Sequence, residues 1–508
     1  MRIWKLLLLP AAIGIALLGW RWASTPSPAP QAPPNVLLVS IDSLRADRVH
    51  AMGNPHETSP TIDALARDGV LFRNAVSSSS WTIPAHMTLL TGMLPGEHGV
   101  IAPTRQLRED VVTLADAFRV NGYATAGFVS GPTVRGVYGF AQGFETYDDD
   151  TIVAPNRLLS QKGITSPTIA ELASGWLERW HASDERKPFF LFLHWWDVHY
   201  DYEPPPPYDR MFDPDYRGTI TSDGFEMNPA IHAGMPEEDL QHLLALYDGE
   251  LRFTDEHIGR VIALLDRLGV LDDTLVVVTA DHGDEFFEHG GKGHGHTLFE
   301  EVVHIPLVIR YPRRVPAGQV VERQVRLVDV APTVLGLVGV TPPPGFGSRT
   351  SFPDVGGRDL TPWITDPERI GDLPDLPAIL ELRKGLIAVR TNEHKLIVHL
   401  KNHHPPYLFD LVADRAETKN LASDDPSSPT ADVQARLMEL VTGWRREIPT
   451  LPRAYKRLTL EPELERRLEA LGYVKPRSKR RQRRKAAATQ PAPEATAAPT
   501  PPSAPAPH

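Results

Sequence analysis

The 508-residue chain contains no cysteine. That absence excludes disulfides, thiolate nucleophiles and cysteine-ligated zinc. Positive charge is scarce where a fold is expected. The formal net charge is −11, yet eight Lys and Arg residues crowd between Lys475 and Lys485, so the rest of the chain sums to −19. An acidic folded part argues against nucleic acid as substrate. The apolar run Leu6 to Trp20 is short for a spanning helix. Arg2 and Lys5 precede it, and Arg21 ends it. Residues 1–21 therefore read as a signal peptide or signal anchor, and residues 22–34 as a Pro-rich tether. No small-x-small cleavage site stands out. We expect anchoring to the inner membrane through this segment, with a periplasmic or other extracytoplasmic location in the cell envelope.

The composition is 41% apolar and 23% charged, which is ordinary for a globular protein. The length suits one large α/β domain, residues 35–340, and a smaller α+β subdomain with helices, residues 341–474. Asn35–Ile41 is a continuous apolar run, as expected of a strand buried on both faces of a parallel sheet. Ala124–Ser130, Phe189–Leu193, Thr274–Ala280 and Leu307–Tyr311 read as further strands. Thr58–Gly69 and one or two helices within Asp239–Gly269 alternate with them. This alternation predicts a mainly parallel sheet covered by helices on both faces. In the C-terminal part, Leu386–Arg390 and Lys395–Leu400 suggest an antiparallel pair, followed by helices at Asp432–Trp444 and Pro462–Leu471, with Gly472 ending the latter. Residues 475–508 are basic, then Ala/Pro-rich, and are expected to be disordered.

Functional groups in such sheets gather beyond the carboxyl ends of strands. Three strands here end in suitable groups. One ends at Asp42, one runs into His194-Trp-Trp-Asp-Val-His199, and one ends at Asp281-His282-Gly283. Each alone reads as a capping carboxylate or a core histidine. Three at one sheet edge point to a site. The run Trp81–Gly92 adds Thr82 just before Pro84 at a helix start. A hydroxyl there is either an N-cap or a group facing an anion at the helix N-terminus. By contrast, Pro204–Pro207 reads as a rigid loop near the site mouth. Trp195 and Trp196 read as packing residues, His403 and His404 as residues without a ligand role, and Asp148–Asp150 as a solvated loop.

Pro84-Ala-His-Met-Thr-Leu-Leu-Thr-Gly92 resembles the signature of the sulfatase family, within the alkaline phosphatase superfamily. Asn35–Asp47, Tyr247–Gly259, Thr279–Glu301, Val328–Val340 and Tyr407–Leu421 look like further blocks of that family. The resemblance implies an alkaline-phosphatase-like fold and ester chemistry. It departs from the family at three positions. Thr82 stands where the family has a cysteine or serine that becomes formylglycine, His86 stands for an arginine, and Ser43 stands for the second of two aspartates. A threonine cannot become formylglycine. A threonine nucleophile is instead similar to the phosphodiesterases and phosphotransferases of the superfamily.

What the resemblance implies is a divalent metal held by Asp42, Thr82, Asp281 and His282. Zn²⁺ or Mn²⁺ suits those ligands, and Ca²⁺ or Mg²⁺ stays open. Thr82 would attack phosphorus, with His86, His199 and His296 as the other catalytic candidates; His199 and His296 would bind non-bridging oxygens or protonate the leaving group, with His294 as a neighbour. A second metal would need ligands such as Asp197, His199 and His296, and one metal is the simpler reading. The expected substrate is a small-molecule, lipid or glycan phosphate or sulfate ester. The alternatives are a sulfuric ester hydrolase working without formylglycine and an inactive, membrane-anchored binding protein.

Overall fold

The computed structural model describes residues 32–151, 165–352, 354–383, 385–401, 404–470 and 473–474. The N-terminal apolar segment, most of the tether, Gly472, His403 and the basic tail lie outside these residues. Among the described residues no helix is long and apolar enough to cross a membrane.

Nine strands form the main sheet. They are β1 (Asn35–Ile41), β2 (Val70–Val76), β3 (Ala124–Ser130), β4 (Thr146–Thr151), β5 (Phe189–Trp195), β6 (Thr274–Ala280), β7 (His304–Arg310), β8 (Gln319–Val321) and β9 (Val325–Arg326). The spatial order is β8-β2-β7-β6-β1-β5-β3-β4, with β9 pairing β2 as well. Every neighbouring pair is parallel except those made by β7, which runs antiparallel to both β2 and β6. All residues of β1, β5 and β6 are buried, so helices and loops cover both faces of the sheet centre.

Register places the chemistry. Ile41 pairs with Trp195 on one side and with Ala280 on the other. Asp42 and Asp281 each follow the last residue of a paired strand, so the two carboxylates meet at one sheet edge. Strand β5 is two residues longer than Phe189–Leu193, which brings His194 into the ladder opposite Ser40. Helix α1 (Pro60–Arg67) and helix α2 (Thr82–Thr91) flank the sheet. Every residue of α2 is buried, and Gly92 ends it in the left-handed region at φ 64°. Helix α3 (Ser166–Ala182) precedes β5. The region expected to hold one or two helices is a single one, α4 (Glu237–Arg267). Helix α5 (Leu327–Val338) follows β9.

Asp148–Asp150 is corrected from a loop to part of edge strand β4, where Asp149 accepts from the Gly136 N–H at 2.7 Å. The antiparallel pair expected near the C-terminus is part of a four-stranded sheet, β10 (Ala378–Leu382), β11 (Leu386–Arg390), β12 (His394–His399) and β13 (Tyr407–Asp410). Helix α6 (Ala431–Glu447) covers it with Leu437, Val441 and Trp444. This sheet is tied to the rest of the fold. The Glu381 N–H bonds the Ser78 carbonyl, and buried Arg390 grips both oxygens of Glu300. Helix α7 (Pro462–Ala470) packs Leu464 and Leu468 into the main core.

Candidate active site

Thr82 is the first residue of α2, and Trp81 occupies the cap position in an extended conformation. Thr82 is therefore not the N-cap residue. Its Oγ1 lies 3.2 Å from His282 Nε2. His282 Nε2 is 3.1 Å from Asp281 Oδ2 and 3.8 Å from Asp42 Oδ1. All four side chains are fully buried. The other imidazole nitrogen, His282 Nδ1, donates to the Gly283 carbonyl at 3.1 Å, which leaves the Nε2 lone pair facing the carboxylates and the hydroxyl.

Ser43 explains how the site accommodates the loss of a second aspartate. Its hydroxyl donates to Asp42 Oδ1 and its N–H donates to Asp281 Oδ1, both at 3.1 Å. Ser43 adopts φ 57° to do so, in the region that strains a residue with a Cβ. Asp42 Oδ2 and Asp281 Oδ2 remain buried without a hydrogen-bond donor. Burial raises the Asp42 carboxyl to about 7 against the pull of His282, and it raises Asp281 also, with Asp42 adding to the push. Burial alone would lower His282, but Asp281 and Asp42 outweigh it and raise the imidazole. Two orphaned carboxylate oxygens, a lone pair and a hydroxyl at one point suit a divalent cation. Potential ligand atoms of Asp42, Asp281 and His282 lie within 4.8 Å of one another.

The other sequence candidates divide. His86 sits beneath the nucleophile, fully buried. Its Nδ1 donates to the Thr82 carbonyl at 3.1 Å, and Ser40 donates to its Nε2 at 2.9 Å. Burial pushes it down to about 3, so it is neutral. His199 and His294 face each other across 4.9 Å, with Trp196 stacked on His199 at 3.8 Å. His296 lies farther out, paired with Glu285 at 3.4 Å, and lines a cavity of about 360 Å³ with Trp81, Tyr200, Lys292 and Arg383. Asp197 is not drawn into the site. Its carboxylate accepts from the Thr165 N–H, the Thr165 hydroxyl and the Ser166 N–H, closing the start of α3. That removes it as a metal ligand. Pro204 lines a different cavity.

Three residues were given no individual role in the sequence reading. His194 is fully buried with neither ring nitrogen hydrogen-bonded, and its Nε2 is 3.4 Å from Asp42 Oδ2. Its signal was its place at the end of β5. Asp284 follows Asp281-His282-Gly283 and bonds His294 Nδ1 at 2.6 Å and the Tyr202 hydroxyl at 2.7 Å. Its signal was the motif itself, read one residue too short. Asp284, His282 and His294 form a second group of possible ligands. Tyr473, far along the chain, had no local signal. A third group, His289, Glu301 and Glu417, stands apart, and Lys395 already neutralises Glu417 there at 3.1 Å.

Comparison with known proteins adds the family. Residues 34–340 match the Sulfatase model, and residues 293–447 match the model described as N-sulphoglucosamine sulphohydrolase, C-terminal. The chain is 27% identical to the multifunctional alkaline phosphatase superfamily protein PehA of Trinickia caryophylli, over 77% of this chain and 91% of that one. It is 23% identical to an N-acetylglucosamine-6-O-sulfatase of Bacteroides thetaiotaomicron, over 86% and 89%. The phosphonate monoester hydrolase of Agrobacterium radiobacter has a similar fold, with TM-score 0.64, 24% identity, and coverage of 82% of this chain and 96% of that one. The chain belongs to the sulfatase family of ester hydrolases, within the alkaline phosphatase superfamily.

Proposed function

We propose that the protein cleaves phosphate mono- or diesters, by hydrolysis or by transfer to an alcohol, through nucleophilic attack by Thr82. The observation that carries this reading is the Thr82 hydroxyl, which meets His282 Nε2 at 3.2 Å beside two donor-less carboxylate oxygens. Asp42, Asp281, His282 and Thr82 would hold a divalent metal, Zn²⁺ or Mn²⁺ by donor type, which lowers the hydroxyl's pKa and neutralises charge on the ester. Thr82 Oγ1 forms a bond to phosphorus as the bond to the leaving oxygen breaks. That oxygen takes a proton from the pocket side, where His296 stands, raised against the effect of burial by its bond to Glu285. Water or an acceptor alcohol then displaces the phosphoryl group from Thr82. His86, neutral and bonded to the Thr82 carbonyl, positions the start of α2 rather than touching substrate.

A second reading is sulfuric ester cleavage. The family match and the names of relatives, such as the Ulvan-active sulfatase of Formosa agariphila, favour it. Relatives such as the N-acetylglucosamine-6-O-sulfatase suggest sulfated sugars as substrates in this second reading. Turnover of matched aryl phosphate and aryl sulfate esters, with Zn²⁺, Mn²⁺, Ca²⁺ and Mg²⁺ each supplied, separates the two. Faster phosphate cleavage supports the first reading, and exclusive sulfate cleavage overturns it. We further propose a cell-envelope location with residues 1–21 as anchor, on the charge and apolar pattern of that segment. Fractionation finding the full chain in the cytosol contradicts it.

A further inference from the structure

The chain beyond both family matches enters the active site. Helix α7 buries Leu464 and Leu468 at 3% and 0% exposure. The N–H groups of Tyr473 and Val474 both donate to the Leu468 carbonyl, at 2.9 and 3.2 Å. The Tyr473 hydroxyl lies 3.0 Å from His199 Nε2 and 3.0 Å from His294 Nε2. The Tyr473 ring tilts against Trp81, the neighbour of Thr82, with centroids 5.7 Å apart. The same ring lines the cavity that holds His296.

The far nitrogen of each imidazole fixes its tautomer. His199 Nδ1 lies 2.8 Å from the Tyr200 carbonyl, and His294 Nδ1 lies 2.6 Å from Asp284 Oδ1. A carbonyl and a carboxylate accept, so both Nδ1 atoms carry the proton. The Tyr473 hydroxyl has one proton, so it donates to one Nε2 at a time and the two imidazoles share it. Trp196 stacked on His199 sets the plane of that ring but not which edge faces inward. The Nδ1 bonds turn the opposite edge of each ring inward, and the shared hydroxyl holds those edges in place.

We propose that Tyr473 is a positioning residue: its hydroxyl holds His199 and His294 with their Nε2 atoms toward the ester, and its ring walls the substrate pocket beside Trp81. The function of the pair rests on the reading of Thr82 as nucleophile, whereas the hydrogen-bonded trio does not. The C-terminal segment thereby completes the site.

The test uses the full chain with Tyr473→Phe, which keeps the wall and removes the hydroxyl, and Tyr473→Ala, which removes both. With an aryl phosphate, Tyr473→Phe lowers kcat about tenfold with KM within about twofold, the scale of one lost hydrogen bond. Tyr473→Ala raises KM in addition. Independently of turnover, ¹⁵N NMR of the His199 and His294 ring nitrogens, assigned with His199→Asn and His294→Asn, shows both Nε2 signals moving in Tyr473→Phe. Unmoved signals overturn the proposal, as does an unchanged kcat or faster turnover by either variant. Should the wild type cleave no ester, the Thr82 reading fails and the nitrogen signals alone decide the place of Tyr473.

Discussion

Thr82 Oγ1 and His282 Nε2 lie 3.2 Å apart although 200 positions separate them in the chain. The contact exists because α2 starts beside the sheet edge where β6 ends, and because the imidazole's other nitrogen is fixed on the Gly283 carbonyl. A threonine used as a cap would turn its oxygen to the backbone N–H groups of its own helix. Here Trp81 holds the cap position and the Thr82 oxygen meets His282.

Removing that oxygen separates chemistry from stability. Thr82→Ala lowers kcat/KM by about 10³-fold or more, as expected for a lost nucleophile. Thr82→Ser keeps the oxygen and retains measurable turnover. Both variants fold, which far-UV circular dichroism checks, because the change removes only a small buried side chain.

The site carboxylates predict a pH-dependent stability of the metal-free protein. Burial raises Asp42 from 3.8 to about 7. A raised carboxyl means that the folded state binds its proton more tightly than the unfolded chain does. Its contribution is fully present below pH 3.8 and is lost as pH rises through about 7. In chelator, the Tm of the wild type therefore falls relative to Asp42→Asn between these values. A constant Tm difference across that range contradicts the burial argument.

Metal binding reverses the same penalty. Adding Zn²⁺ or Mn²⁺ to chelated wild type raises Tm, with the size set by concentration over Kd. Asp42→Asn and Asp281→Asn lose most of that rise. Equal stabilisation of all three proteins would place the cation elsewhere.

Asp197 is predicted to matter for the fold and not for chemistry. Asp197→Ala strips three donors at the start of α3 of their acceptor. Denaturant unfolding should show a loss of about 2–4 kcal/mol. The kcat of the folded fraction stays near wild type. A large loss of kcat in stably folded Asp197→Ala contradicts this assignment.

Much of this was legible in the residues. The buried strands announced themselves as continuous apolar runs, and Asp42 and Asp281 stood at their ends. The family signature around Thr82 was local and therefore readable. What was not legible depended on three-dimensional register or on distance in the chain. His194 looked like the residue after a strand because the extra two residues of β5 are set by pairing with Ser40 and Ile41. Asp197 looked like a ligand because its partners Thr165 and Ser166 lie 32 and 31 positions away. Tyr473 follows a charged, amphipathic helix, and nothing near it in sequence marks an active-site residue.

The most direct test of the central claim is to trap the covalent enzyme. Wild type loaded with metal is mixed with an aryl phosphate, quenched in acid within the first turnover, digested, and mapped by tandem mass spectrometry. The account predicts one phosphoryl group on Thr82, absent from Thr82→Ala. Product formation without any modified Thr82 peptide, together with undiminished turnover by Thr82→Ala, would contradict it.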